Sequence, residues 1–298
     1  MKRPVEFFSE GVKLCGDVYT PDGLVAGEKR AAILLCHGYT GVKDLYLPDN
    51  AQAMNQAGYV AMTFDYKGWG DSEGSRSRLA PYSRVLDVQA AMTFLGLQPE
   101  VDEDRIGLYG TSYGGATVSW VGAVDQRARC IVSVVGIGHG QRWMSRVRRI
   151  DEWFDLQDRS KADRESRATT GKSEMVERSE ILLPDRQSAE LAAAARRNNP
   201  AAINTIPMEY VDDTIGFNPE WIVDKISPRP ILFITSDNDR LVLPEESEQL
   251  YAHAKEPKKL VVLKGYGHYE VYQEPAFSEV MAASLDWYQE HMPAILQR

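Results

Sequence analysis

The sequence predicts an α/β fold: a doubly wound, mostly parallel sheet interrupted by an inserted helical cap. The first ground is an alternation of short apolar runs, at residues 31–36, 59–65, 106–109, 130–135, 231–235 and 259–263, with stretches whose apolar residues recur at the helical period. The second is that the loops leaving these runs hold the residues suited to chemistry, as the C-terminal strand ends of an open α/β sheet do. The third is a change of composition: residues 141–200 hold 13 Lys plus Arg against 11 Asp plus Glu, while the rest of the chain holds 21 against 32. No repeat of 20 to 50 residues points to a solenoid instead. The expected organisation is a core of residues 1–138 and 227–298, with residues 139–226 as the cap.

Taken in order, Val12, Leu14 and Val18 alternate with polar residues across 11–20, which predicts a half-exposed antiparallel strand closed by the turn Pro21-Asp22-Gly23. The continuous apolar run 31–36 reads as a central parallel strand and ends in His37-Gly38-Tyr39-Thr40-Gly41. A helix over 48–57 with Gly58 at its end leads to the strand 59–65 and then to the turn-rich Tyr66-Lys67-Gly68-Trp69-Gly70-Asp71-Ser72-Glu73-Gly74. Trp69 there either touches substrate or packs the loop down. Ser83 is suited to cap a helix whose face is Val85, Val88, Ala91, Met92 and Leu95. A polar connection at 99–104 enters the strand 106–109, and a helix-compatible run follows at 116–124.

After the strand 130–135, Trp143, Val147, Ile150 and Phe154 fall at helical spacing, predicting one amphipathic helix over 141–156. Residues 160–179 are poor in apolar side chains and contain Gly171, so they are expected to be weakly held. A helix over 191–197, the strand 231–235, a helix opening at Pro244, the strand 259–263 and a closing helix over 277–291 complete the chain.

Composition narrows the function. A 298-residue chain with 43% hydrophobic and 26% charged residues can build a large soluble core, and its net charge of -9 argues against nucleic acid or a polybasic membrane surface. No apolar run approaches the ~20 residues of a membrane span, and the N-terminus turns polar before a signal-peptide core forms, so a cytoplasmic location is expected. The three cysteines, Cys15, Cys36 and Cys130, have no metal-ligand spacing; Cys36 and Cys130 read as buried packing residues, with Cys36 a weak rival nucleophile. Thr170-Gly171-Lys172-Ser173 lacks the first glycine of a phosphate loop, and Arg142, Arg146, Arg148 and Arg149 read as a solvated face. No metal and no cofactor are expected.

The chemistry centres on Gly110-Thr111-Ser112-Tyr113-Gly114, a G-x-S-x-G pentapeptide between a strand and a helix. A serine hydroxyl needs a base within hydrogen-bond reach, and that base needs a carboxylate to orient it. His268, in a glycine-flanked loop after the last strand, and Asp239, after the strand 231–235, follow Ser112 in the chain order of this architecture, with Asp237 the competitor for the acid and His139 for the base. His37, on its strand end, reads as holding the loop. The Tyr39 and Tyr113 backbone N–H groups are the expected oxyanion donors, and Trp69, His139 and Trp143 are candidate substrate contacts.

On His37-Gly38-Tyr39, the run from Asp65 to Ser72, Gly110-Thr111-Ser112-Tyr113-Gly114-Gly115, Asp239 and Gly267-His268, the chain resembles the α/β-hydrolase family, in its dienelactone-hydrolase-like and prolyl-oligopeptidase-like branch of capped serine hydrolases. The resemblance runs nearly end to end. It implies Ser112 as nucleophile, His268 as general base and then acid, Asp239 as orienting acid, and an acyl-enzyme cleared by water. The function expected is hydrolysis of a small-to-medium carboxylic ester; proline-selective aminopeptidase-like amide cleavage, carbon–carbon bond hydrolysis and a non-catalytic ligand-binding protein are the alternatives. The expected partner is a small-molecule ester or amide, with no nucleic acid and no membrane, and self-association into a homodimer is left open.

Overall fold

A computed structural model of the chain describes residues 1–295 except 77, 198 and 200. An antiparallel hairpin opens it, β1 (Lys2–Ser9) and β2 (Val12–Tyr19), joined through Glu10 and Gly11, both at positive φ. β3 (Arg30–Cys36), α1 (Leu47–Gln56), β4 (Val60–Phe64), α2 (Pro81–Gly96), β5 (Val101–Thr111), α3 (Tyr113–Val124) and β6 (Ala128–Val134) follow. Next come α4 (Gly140–Arg146), α5 (Ile150–Thr170), β7 (Met175–Glu177), α6 (Arg178–Leu182), α7 (Arg186–Arg197), β8 (Thr205–Pro207) and α8 (Tyr210–Ile215). β9 (Ile231–Ser236), α9 (Glu245–His253), β10 (Lys258–Leu263) and α10 (Ala276–His291) close the fold.

The main sheet has the order β1-β2-β4-β3-β5-β6-β9-β10; β2 runs antiparallel to β4, and every pairing from β4 to β10 is parallel. Every residue of β3 and β4 is buried, because helices cover both faces. α1 and α10 supply Ala51, Met54, Val280 and Tyr288 to one core. On the other face α2, α3 and α9 supply Val88, Met92, Val118 and Leu250. Among the described residues no helix is long and apolar enough to cross a membrane.

Several local readings change. β1 was not expected: Val5, Phe7 and Ser9 point inward, but Phe8 between them is exposed and blurs the alternation. Ser83 caps nothing; α2 begins at Pro81, whose fixed φ suits a first turn, after Ala80 at φ 40°. The single helix over 141–156 is two helices, broken at residues 147–149 and restarted where the Arg149 N–H donates to the Glu152 carboxylate at 2.9 Å. The break changes the buried face. Ile150 and Phe154 are 70% and 57% exposed, while Trp153 and Leu156 face inward.

Residues 160–179 are firmly tied rather than weakly held. α5 runs to Thr170 and ends on Gly171 at φ 73°. Its buried Asp163 accepts from Arg167 at 2.7 Å, Ser173 Oγ at 2.9 Å and the Glu174 N–H at 2.7 Å, and Arg164 and Arg167 both pair with Asp212. Counting apolar residues misses a segment anchored by buried, fully partnered polar groups.

Among its described residues the stretch between β6 and β9 gives no strand to the main sheet; β7 and β8 pair with each other. Its last part folds back onto the core, with Phe217 stacked on Trp120 at 4.9 Å. The reassigned α5 face has a direct check. Leu156→Ala is expected to cost about 2–5 kcal/mol in urea unfolding and Phe154→Ala about 0.5 kcal/mol or less; the reverse order would refute the assignment.

Candidate active site

β5 runs through the centre of the sheet and delivers Ser112 at its C-terminal end, with φ 57° and ψ -122°, a conformation a non-glycine residue rarely adopts. Two glycines make the turn possible. A Cβ on Gly110 would lie 2.2 Å from the Gly114 carbonyl oxygen, and one on Gly114 would lie 2.1 Å from that of Cys36. The Ser112 N–H is anchored to Val134 O at 2.8 Å, and the Ser112 carbonyl accepts from Gly115 and Ala116 as α3 begins. The Tyr113 N–H is left at the helix start, and among the described residues neither it nor the Tyr39 N–H donates to a protein acceptor.

Two further loops converge here. His268 follows β10 and Asp239 follows β9, and both are about 1% exposed. His268 Nε2 lies 3.1 Å from Ser112 Oγ, and His268 Nδ1 lies 2.7 Å from Asp239 Oδ2. The other oxygen of Asp239 accepts the Leu241 and Val242 N–H groups at 2.9 and 2.8 Å, which fixes the carboxylate. With the imidazole proton on Nδ1, donated to Asp239, Nε2 is free to accept from the serine hydroxyl. Asp237 faces away and binds the Gly265 N–H and Lys264.

The loop after β3 is held from behind by a residue that sequence reasoning passed over. Arg84, 1% exposed, donates from Nη1 to Gly38 O at 3.2 Å and from Nη2 to Tyr39 O at 3.0 Å, and its guanidinium lies over Tyr66 at 4.4 Å. In a trans peptide the C=O and N–H point in opposite directions. Pinning the Gly38 carbonyl back therefore turns the Tyr39 N–H forward. His37, kept neutral by burial, adds a hydrogen bond to Gly38 O at 3.0 Å. Asp65 braces the next turns by accepting the Lys43 and Asp71 N–H groups at 2.7 and 3.0 Å, its carboxyl pushed up to about 6 by burial. The signal for Arg84 in the sequence was only an arginine on a helix face that is apolar apart from it and Asp87.

Of the three side chains expected to touch substrate, one lines the cavity above Ser112. Trp143 does, its Nε1 donating to Leu241 O at 2.7 Å. Trp69 is fully buried beneath its loop, bonded to Arg78 O at 3.0 Å. His139 caps α4 by accepting the Arg142 N–H at 3.3 Å and packs on Trp221. Cys36 is buried and its thiol pushed up to about 12, so it offers no thiolate. The cavity is about 40 Å³, and the segment between β6 and β9 contributes Trp143, Arg178, Leu182 and Arg196 to its lining. Among the described residues no group of three or more His, Cys, Asp or Glu side chains is placed to hold a metal.

Residues 27–276 match the model of the family described as serine aminopeptidase, S33. The chain belongs to this α/β-hydrolase family. Among curated relatives, an uncharacterized 31.7 kDa protein of the traX-finO intergenic region of Escherichia coli is 31% identical over 98% of this chain and 100% of its own length. The polyketide transferase claH of Penicillium crustosum is 25% identical over 95% of each chain. The thiohydrolase aneE of Aspergillus aculeatus is 36% identical over 44% of this chain and 40% of its own. The solved structure of DcsB in complex with its substrate analogue superposes with a TM-score of 0.85 at 24% identity, over 98% of this chain and 100% of that one. This S33 member carries its family's elbow in a form that admits no added methyl group at Gly114. Gly114→Ala is expected to lose about 3 kcal/mol of stability by urea unfolding, and unchanged stability would contradict the contact with Cys36 O.

Proposed function

We propose that the protein is a Ser-His-Asp hydrolase that cleaves a small-to-medium carboxylic ester or thioester through an acyl-enzyme. The observation that carries this is the unbroken line of hydrogen bonds from Ser112 through His268 to Asp239, at 3.1 and 2.7 Å. In the first half-reaction His268 Nε2 takes the hydroxyl proton as Ser112 Oγ attacks the carbonyl carbon, and Asp239 stabilises the imidazolium. The Tyr39 and Tyr113 N–H groups receive the oxyanion. Nε2 then returns the proton to the departing alcohol or thiol; water repeats the sequence on the acyl group and frees the carboxylic acid and Ser112.

Residues 139–226 act as the cap in this reading, excluding bulk water from the cavity they close. The family description raises aminopeptidase action as the rival. Recognition of a free N-terminal ammonium calls for a carboxylate, and the cavity lining holds two arginines and no acid. The relatives named as a thiohydrolase and a polyketide transferase favour ester and thioester substrates over amides.

Wild type is expected to release p-nitrophenol from an acyl ester with a burst, to label with a fluorophosphonate, and to turn over esters faster than the matching dipeptide amides. Ser112→Ala should lose both labelling and burst, with kcat down by about 10⁴-fold or more while far-UV circular dichroism is unchanged. A folded Ser112→Ala protein with full turnover would refute the proposal. Arg84→Met, which releases the two carbonyls, should lower kcat about 10- to 100-fold with little change in KM, since one oxyanion donor is worth about 10²- to 10³-fold; Arg84→Lys should recover part of the loss. An unchanged kcat would leave Arg84 a packing residue only.

A further inference from the structure

Two cations in the cavity, Arg178 and Arg196, have no anionic partner among the described residues. Arg178, at the start of α6, and Arg196, near the end of α7, line the same space as Ser112 and His268. Arg178 donates from Nε to Thr40 Oγ1 at 3.0 Å and from Nη2 to the Tyr269 hydroxyl at 3.2 Å. Arg196 donates from Nη1 to Ile203 O at 2.9 Å and from Nη2 to Thr40 O at 2.5 Å and Thr40 Oγ1. Every one of these acceptors is neutral, and N–H groups remain on both guanidiniums, since each carries five.

The arrangement is costly without an anion. Burial, with the Arg178 charge beside it, pushes Arg196 down to about 10, so the residue remains a cation at neutral pH but a destabilised one. Holding two like charges together in a partly dry site is unfavourable unless a counter-charge arrives. The shortage of acids is local: the chain has 43 Asp plus Glu, and among the described residues none lines this cavity. Elsewhere in the same segment Arg142 is neutralised directly by Glu220 and Glu246, whereas Arg148, outside the cavity, bonds carbonyl oxygens.

We propose that the substrate is an ester or thioester bearing a free carboxylate, bound by Arg178 and Arg196; this rests on the hydrolase reading above. The planar guanidinium fork suits a carboxylate in two-point contact. The test compares wild type with Arg178→Gln, Arg196→Gln and the double variant. One arm uses p-nitrophenyl monoesters of succinic, glutaric and adipic acid against their methyl-capped counterparts, with the charge on the acyl chain; the other uses 3-acetoxybenzoate against its methyl ester, with the charge on the leaving group. Wild type should prefer the acid in at least one arm by about 10-fold in kcat/KM, and each substitution should remove that preference, mainly through KM, by lowering kcat/KM on the acid about 10-fold more than on the capped ester.

A wild type that labels with fluorophosphonate and turns over capped esters without preferring the acids in either arm overturns the carboxylate and leaves the hydrolase standing. Equal losses on acid and capped ester in the variants also overturn it, assigning the arginines to holding Thr40. A wild type that neither labels nor turns over any ester overturns both readings.

Discussion

The backbone of Ser112 is the constraint on which the structure turns. A serine at φ 57° carries about 1–3 kcal/mol of strain, which persists only where the surroundings allow no alternative. Here β5 enters from the middle of a parallel sheet, α3 leaves at once, and the two glycines let the chain reverse against β3 with no side chain between. The hydroxyl is thereby presented at the rim of the sheet, where the loops after β3, β9 and β10 also end. The register of the parallel strands brings the loops that carry residues 39, 239 and 268 to one edge of the sheet.

Around that point the protein buries charge for position. Arg84 is enclosed by aromatic rings and bonded to carbonyl oxygens, and Asp65 spends its oxygens on backbone amides. Such groups gain little net stability, because desolvation offsets much of what their bonds return. What they provide is direction: each fixes a peptide plane, and a fixed peptide plane fixes where its other end points.

Much of this was legible in the sequence because it follows from local rules. Continuous apolar runs announced the parallel strands, and the glycines flanking Ser112 announced a turn that tolerates nothing larger. The positions of Asp239 and His268 followed from their places just after predicted strands. What was not legible depended on partners distant in the chain. β1 is a strand because β2 pairs with it; α4 and α5 separate at a break that the apolar spacing runs straight across; and α5 is held by Asp163 and Asp212, which composition counts as surface. Trp69 and His139 lie near Ser112 in loop logic, yet one turns under its loop and the other into a helix cap. Arg84 could not be found from spacing, because its role is defined only by the two carbonyls it meets.

Hydrogen bonds tie α6, α7 and α8 to the loop after β3. Thr40 accepts both arginines, and the hydroxyl of neighbouring Tyr39 shares a hydrogen bond with Thr214 at 2.9 Å. Any displacement of α6 or α7 away from the loop after β3 breaks these same bonds. In the proposed reading, the arginines that would receive an anion are thus the same ones that tie these helices to Thr40, so tension on one contact would pass to the other.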